Sequence, residues 1–285
     1  MIEKNIHQIW MQGIDTFPIK FQKYSKIIKD MHLEPALNWN YIFWDEKSIQ
    51  NLMNEDEKWK TKYKTFIHLH QKVDFAKLVI LYKFGGIVID ADAYTIKPLD
   101  SLFDIHKDAK LIVCLLKRDF LPIGNIQSLV TCNKMSECIN NGNYIAKKES
   151  NILSYIIDEF INIPTCSLKM EKMLCIKNTT GPYIFDKSIT KYIKENDDSK
   201  SVAILPYVFL EPCFNKKCFI TDDTYIVHKH EMSWVNNIAK FYVLHSEIFN
   251  ICTLFILSFI LSFILFLICI FCYKICKKSS LEPEF

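Results

Sequence analysis

Asp90 and Asp92 are the two side chains whose types and spacing best fit metal chemistry. They follow a β-branched run, residues 87–89, which predicts a short buried strand. Because successive strand residues point to opposite faces, the two carboxylates are expected on one side, where both can bind one divalent cation. The alternative is that this acidic pair only caps a turn, which short acidic pairs often do.

A glycine pair, Gly85-Gly86, precedes this strand, although the whole chain has only 6 glycines. One glycine is expected to end a helix with a positive φ, and the other to let the backbone pass close to a neighbour. The apolar periodicity upstream predicts that the helix covers Phe66 to Phe84. Asp74 and Lys77 are three residues apart on it and share a face. They form either a solvated surface ion pair or part of a site near the two aspartates.

The segment from Lys72 to Leu99 resembles the core of the family 32 glycosyltransferases, the DXD-containing group that includes yeast-type α-mannosyltransferases. The matching runs are Val73-Asp74-Phe75-Ala76-Lys77, Leu81-Tyr82-Lys83-Phe84-Gly85-Gly86 and Asp90-Ala91-Asp92, without a gap. The chain departs from the family pattern at Val73, usually serine, and at Lys77, usually arginine. Lysine keeps the charge but loses the bidentate fork of arginine.

Weaker resemblance continues on both sides of this core. Three short runs are similar to family elements: Asn5-Ile6-His7-Gln8-Ile9-Trp10 to the first strand, Asn38 to Asp45 to the second, and Thr180-Gly181-Pro182 to a turn near the acceptor. His228 with Ser233-Trp234 is similar to the closing element. The resemblance implies donor contacts by Ile9, Trp10, Asp74, Lys77 and Trp234. It also implies a metal site of Asp90, Asp92 and His228, with His230 a weaker candidate.

From the resemblance we expect an α/β, Rossmann-like fold of the GT-A type and a metal-dependent glycosyltransferase. Asp74, Lys77, Asp90 and Asp92 are the expected catalytic residues. The expected cofactors are Mn²⁺ or Mg²⁺ and a GDP- or UDP-sugar, and the acceptor is a glycan or glycolipid. The resemblance also implies retention of anomeric configuration. Two alternatives stay open: a haloacid-dehalogenase-like phosphohydrolase, which also has an Asp-x-Asp strand end, and a catalytically inactive membrane-anchored relative.

Length and charge bound the other possibilities. The net charge is only +3 over 285 residues, without a concentrated basic face, so nucleic acid is not expected as a partner. Residues 1–243 alternate helical and strand patterns, which favours one glycosyltransferase domain. Residues 248–273 contain no charged side chain and are long enough for a transmembrane helix across a core of about 30 Å. Residues 274–285 form a short basic tail.

We therefore expect a single-pass protein of the Golgi or endoplasmic reticulum. The face that carries the domain stays open. Lysines at 274, 277 and 278 favour a cytosolic tail, whereas no N-terminal signal is visible to carry the domain across. Seven cysteines precede the apolar stretch, an odd number that fits poorly with a complete disulfide framework. Cys213 and Cys218 are close enough in the sequence to bridge and are the pair to check.

Overall fold

The computed structural model describes residues 2–116, 132, 137–214, 217–231 and 235–279. Its strands are β1 Asn5–Ile9, β2 Asn40–Trp44, β3 Gly86–Val88, β4 Ala93–Thr95, β5 Leu111–Cys114, β6 Tyr144–Ala146, β7 Val202–Leu205, β8 Cys213–Phe214, β9 Lys217–Cys218 and β10 Ile226–His228. Six of them form one sheet in the order β2-β1-β3-β6-β5-β7. In that sheet β6 is antiparallel to both neighbours, and the other pairs are parallel. The carboxyl ends of β1 and β3 therefore meet at one edge.

Helices pack on both faces of this sheet. They are α1 Ile19–His32, α2 Glu46–Met53, α3 Glu57–Lys64, α4 Leu69–Phe84, α5 Asp100–Ile105, α6 Asn151–Asn162, α7 Lys172–Thr179, α8 Pro182–Asn196, α9 Asn237–Leu244 and α10 Ser246–Ser279. Residues of α4, α6 and α8 form a buried apolar cluster on one face, and residues of α1 and α5 join a second cluster on the other. This three-layer arrangement is the α/β architecture predicted from the sequence.

The predicted helix before the glycine pair begins three residues later than expected, at Leu69. His68 ends the extended segment before it, and the Gln71 side chain accepts a hydrogen bond from the His68 backbone N–H at 3.1 Å. This bond satisfies one of the first-turn amides that have no carbonyl partner within the helix. Phe66 and Ile67 therefore lie outside the helix, whereas the predicted end at Phe84 is confirmed.

Both glycines of the pair adopt a positive φ, +62° at Gly85 and +98° at Gly86. Gly85 ends α4, and its N–H donates to the Leu81 carbonyl at 2.9 Å. A Cβ added to Gly86 would lie 2.2 Å from the Asn5 carbonyl oxygen, well inside van der Waals contact. Both predicted roles are confirmed, since one glycine turns the chain and the other lets β3 lie against β1.

The first strand secures this turn through a buried histidine. Trp44 Nε1 donates to His7 Nδ1 at 3.1 Å, so His7 carries its proton on Nε2 and donates it to the Gly85 carbonyl at 2.9 Å. Burial lowers the pKa of His7 to about 4, although the bond to Gly85 opposes this shift. A neutral imidazole therefore links β1, β2 and the glycine turn.

Six of the seven cysteines that precede the apolar stretch form disulfides. The pairs are Cys132–Cys138, Cys166–Cys175 and Cys213–Cys218. Cys213 and Cys218, the pair that the sequence singled out for checking, are bonded, and the odd count is explained by Cys114, which is buried and unpaired. An odd number therefore did not exclude a framework of three disulfides.

The last helix is unlike the rest. Within α10, Ile251–Tyr273 is long and apolar enough to cross a membrane, and its side chains are not buried by the protein. A helix that is apolar on every face requires an apolar environment around it. Among the described elements, α9 is the one that packs against it most.

Candidate functional site

The chain places Asp90 and Asp92 in the turn that follows β3. The backbone N–H of Asp90 donates to Asn143 Oδ1 at 2.9 Å, and the N–H of Glu231 donates to Asp92 Oδ2 at 2.8 Å. His228 Nε2 lies 3.6 Å from Asp90 Oδ2 and 3.1 Å from Asp92 Oδ1. The two carboxylates therefore meet on one side of the turn, as the spacing predicts, and share one imidazole.

His228 reaches this turn because β10 pairs with β4. The antiparallel register sets His228 opposite Ala93, the residue after Asp92. Its second ring nitrogen, Nδ1, lies 2.8 Å from Glu211 Oε2. Burial lowers the pKa of His228, but the charges of Glu211 and Asp92 outweigh burial and raise this pKa well above its usual value. His228 is therefore positively charged when no cation is bound.

Glu211 is a member of the site that the sequence analysis missed. Its side chain is almost fully buried, and Oε1 accepts a hydrogen bond from Asn143 Nδ2 at 3.0 Å. Since Asn143 also binds the Asp90 backbone, Glu211 is connected to both aspartates through its neighbours. Burial raises the pKa of Glu211, but His228 and His230 outweigh it and hold this pKa well below the usual range.

His230 also belongs to this group, although its sequence position gave it less weight than His228. Its ring stacks on that of His228 with centroids 4.0 Å apart, and its Nε2 lies 2.9 Å from Glu211 Oε2.

Asp92 completes the group. Burial raises the pKa of Asp92, but the charge of His228 and the bonds from His228 and Glu231 hold it well below its usual value.

Lys77 is buried beneath the two aspartates. Its Nζ lies 2.5 Å from Asp90 Oδ1 and donates to the carbonyl oxygens of Asn141 and Gly142, each at 3.1 Å. Burial lowers the pKa of Lys77, but Asp90 and Asp74 outweigh it and raise this pKa above its usual value. The three partners account for all three N–H groups of the ammonium.

Asp74 lies one helical turn before Lys77 and faces the same space. Its Oδ2 accepts a hydrogen bond from Thr180 Oγ1 at 3.1 Å. Burial raises the pKa of Asp74 to about 7, with Lys77 opposing the shift and Asp90 adding to it. Thr180 stands in the turn between α7 and α8, where Pro182 opens α8. The run Thr180-Gly181-Pro182 thus lies beside Asp74, and its place near an acceptor stays a prediction.

Most of these side chains, but not Glu211, Asn143 or Thr180, line a cavity of about 420 Å³. Of the predicted residues, it is lined by Ile9, Trp10, Asp74, Lys77, Asp90, Asp92 and His228. Residues Ser233 and Trp234 lie outside the described part of the chain, so the predicted contact of Trp234 stays a prediction. Val73, the departure from the family serine, also faces the cavity. The structure therefore brings seven of the eight predicted residues to one space.

Two groups of side chains in the described residues have the composition of a cation site. Asp90, Asp92 and His228 have ligand atoms within 4.8 Å of one another, and so do Glu211, His228 and His230. The first group opens into the cavity and offers carboxylate oxygens with one imidazole nitrogen, a set that suits Mn²⁺. In the second group Glu211 already bonds His228, so it fits a carboxylate that orients an imidazole.

Comparison with known proteins identifies the family to which these residues are similar. Residues 18–109 match the family described as "Glycosyltransferase sugar-binding region containing DXD motif". The match covers α4, the glycine pair and the two aspartates. Together with the observed sheet it confirms the predicted fold class, an α/β domain of the GT-A type with an apolar C-terminal helix.

Two relatives show how far the similarity extends. The chain is 28% identical over 244 residues to an uncharacterised glycosyltransferase of Acanthamoeba polyphaga mimivirus, covering 82% of this chain and 84% of the relative. It is 29% identical over 102 residues to inositol phosphoceramide mannosyltransferase 1 of Schizosaccharomyces pombe, covering 35% of this chain and 31% of that protein. The second match is thus confined to about a third of each chain.

A solved structure, mouse xyloside xylosyltransferase 1, is similar with a TM-score of 0.45 and 10% identity, covering 81% of this chain and 99% of that one. At this level the comparison adds nothing to the family match. The matches do not favour the phosphohydrolase alternative. The chain is thus a glycosyltransferase with a DXD-type sugar-binding region, as predicted from residues Lys72 to Leu99.

Proposed function

We propose that this protein transfers a hexose from a GDP- or UDP-sugar to a glycan or glycolipid, with a divalent cation bound by Asp90, Asp92 and His228. The convergence of these three side chains at the wall of a 420 Å³ cavity is the observation that carries the proposal. Several segments distant in the sequence supply the cavity wall, and the family match provides the reaction class.

The residues present fit a cation of the Mn²⁺ or Mg²⁺ kind. Carboxylate oxygens suit both ions, and an imidazole nitrogen favours Mn²⁺. Glu211 holds Nδ1 of His228, which leaves Nε2 directed at the two aspartates. A bound divalent cation would neutralise charge on the donor diphosphate and make it a better leaving group.

The remaining side chains bind and orient the donor. Trp10 and Ile9 give the cavity an apolar wall at the end of β1, suitable for the flat base of a nucleotide. Asp74 is the residue proposed to bind sugar hydroxyls, since its carboxyl lines the cavity beside its hydrogen-bond partners Thr180 and Asn141. Lys77 has its three donors engaged, so we assign it the fixing of Asp90. The retaining outcome is proposed from the family resemblance, and no protein nucleophile is assigned.

A membrane location completes the proposal. We propose a catalytic domain of residues 1–243, a transmembrane helix over 248–273 and a short tail over 274–285, in a single-pass protein of the Golgi or endoplasmic reticulum. The apolar helix Ile251–Tyr273 supports the anchor. Three disulfides support a lumenal domain, since disulfides persist in oxidising compartments. Lysines at 274, 277 and 278 then lie on the cytosolic side.

The first prediction concerns metal dependence. Asp92→Asn should lower nucleotide release from a GDP- or UDP-sugar by about a hundred-fold or more, because a catalytic metal contributes several kcal/mol and about 1.4 kcal/mol corresponds to ten-fold. Chelation with EDTA should have the same effect, reversed by Mn²⁺. The measurement is release of nucleotide from a panel of sugars. Asp222→Asn, in an exposed turn, is the matched control. Full activity of Asp92→Asn, or of wild type in EDTA, would end the proposal.

The second prediction tests Glu211 as a positioning residue. Glu211→Gln keeps the shape of the side chain but removes the charge that orients His228. The dissociation constant for Mn²⁺, measured by calorimetry on the full chain, should rise about ten-fold or more, as for other residues that hold a metal-binding histidine. Glu159→Gln removes a carboxylate that pairs with Lys191 at 2.9 Å and is the control. Equal Mn²⁺ affinity for wild type and Glu211→Gln contradicts the role.

The third prediction follows from the raised pKa of Asp74, about 7 against an ordinary 3.8. The folded state holds this proton more tightly than the unfolded state, so the free energy of unfolding falls as pH rises between these two values. Asp74→Asn lacks this term. The free energy of unfolding of Asp74→Asn minus that of wild type should therefore be roughly 2 kcal/mol more positive above pH 7 than near pH 4. This figure discounts part of the pKa shift for solvent screening.

Urea unfolding of the full chain in detergent, without metal or donor, measures this difference. Asp222→Asn is again the control, and its difference from wild type should not change with pH in this window. A pH-independent difference between wild type and Asp74→Asn would show that Asp74 is ionised throughout.

A further inference from the structure

A short loop between α6 and α7 holds large apolar side chains in solvent. Leu168 is 86% exposed, and so are Met170 and, in the first turn of α7, Leu174, which is included here in the 168–174 loop. The loop is fixed at both ends, since the Cys166–Cys175 disulfide closes it and the Met170 N–H donates to the Ser167 carbonyl at 2.9 Å. A constrained turn that presents a leucine outward cannot easily fold this side chain back onto the domain. This feature indicates an apolar environment outside the domain.

A second apolar surface lies on α9, the helix that precedes the apolar span. Ile238 is 72% exposed and Phe241 is also exposed, and their spacing of three places them on one face of the helix. The chain then passes through His245 into α10, where Ile248 is exposed before the span begins at Ile251. The exposed apolar face of α9 is therefore continuous with the span.

Contacts join these two surfaces to each other and to the cavity. Asn236 Nδ2 lies 3.4 Å from Glu171 Oε1, which connects the start of α9 to the loop. Lys240 Nζ donates to the Glu231 carbonyl at 2.8 Å, and both Glu231 and Val235 line the cavity. The loop and α9 thus flank the side of the cavity from which the chain leaves for α10.

We propose that the 168–174 loop and the exposed face of α9 lie in the interfacial layer of the bilayer that α10 enters. The inference rests on the proposed membrane anchor and adds to it a second, peripheral contact. Single exposed apolar residues are ordinary on soluble proteins, but these share one position beside a span and a site. A helix with an apolar face next to a membrane anchor binds where acyl chains meet head groups.

This placement determines how an acceptor arrives. With the loop and α9 in the interface, the cavity edge at Glu231 and Val235 lies at head-group level. The polar head of a membrane-embedded acceptor would enter there without leaving the bilayer. This arrangement would not help a freely soluble acceptor to reach the cavity. We therefore expect an amphiphilic, lipid-linked acceptor.

Photo-crosslinking of the full chain in nanodiscs of phosphatidylcholine and phosphatidylserine tests the inference. The photoreactive residue p-benzoylphenylalanine replaces Leu168 or Ile238 in two test proteins. It replaces Phe259, 75% exposed within the span, as the anchor control. It replaces Ile105, 68% exposed, as the matched negative control. Ile105 precedes β5, which is parallel to β3, and so lies at the sheet edge opposite the cavity.

Mass spectrometry after irradiation counts protein–lipid adducts. We expect adducts at 168, 238 and 259, each several-fold above position 105. Adducts at 259 with none above background at 168 and 238 would overturn the inference while the proposed anchor stands. The absence of adducts at 259 would remove the anchor and the inference together. Nucleotide release by the same proteins is scored separately, so a failure of the transferase chemistry is distinguishable.

A functional arm uses a substitution of the same loop. Leu168→Glu places a charge where the inference predicts acyl chains, and should raise the KM for a lipid-linked acceptor several-fold. Its nucleotide release without acceptor should match wild type, because Leu168 does not line the cavity. Ile105→Glu should change neither quantity. An unchanged KM for Leu168→Glu contradicts the inference.

Discussion

The site depends on the compensation of buried negative charge at the end of β3. Asp90, Asp92 and Glu211 crowd together, and Lys77 and His228 are the cations that contact them. Burial of three carboxylates against two cations leaves an excess of negative charge in a poorly solvated space, which favours a further cation. Nε2 of His228 would give up its proton to bind a divalent cation, which would add two positive charges to the site. In the proposed function, the donor diphosphate would then bind beside a neutralised site.

The fold provides this crowding through two close approaches. Gly86 lets β3 run against β1, and His7 fixes the adjacent turn to β2, so the aspartates emerge at a defined edge. The pairing of β10 with β4 returns the chain and places His228 beside them. Asn143 hydrogen-bonds both the Asp90 backbone and the Glu211 side chain, so the positions of these two residues relative to each other are fixed. The charges are thus fixed before any ligand binds, which lowers the cost of organising the site.

The parts of the site that spacing alone predicts are those built from adjacent residues, whereas Ile9, Trp10 and His228 are predicted only through the family resemblance. Asp74, Lys77, the glycine pair and the Asp90–Asp92 turn lie within one helix–turn–strand unit, so spacing alone sets their relation. Glu211 lies 17 residues before His228, and its hydrogen-bond partner Asn143 is 68 residues away in the sequence. No spacing pattern in the sequence therefore predicts that Glu211 belongs to the site. The sequence also does not predict that Lys77 fixes Asp90, because the carbonyl groups that bind Lys77, at residues 141 and 142, belong to a loop distant in the sequence. The Cys166–Cys175 disulfide is likewise not predictable from the sequence.

In the proposed site, His228 and the two aspartates bind one cation that faces the cavity. Pulsed electron paramagnetic resonance of Mn²⁺ bound to the full chain measures it directly, because a coordinated imidazole nitrogen modulates the spin echo of the metal. We expect nitrogen modulation in wild type and in His230→Gln, and its loss in His228→Gln. Wild-type protein that binds Mn²⁺ without nitrogen modulation, or modulation unchanged in His228→Gln, would contradict it.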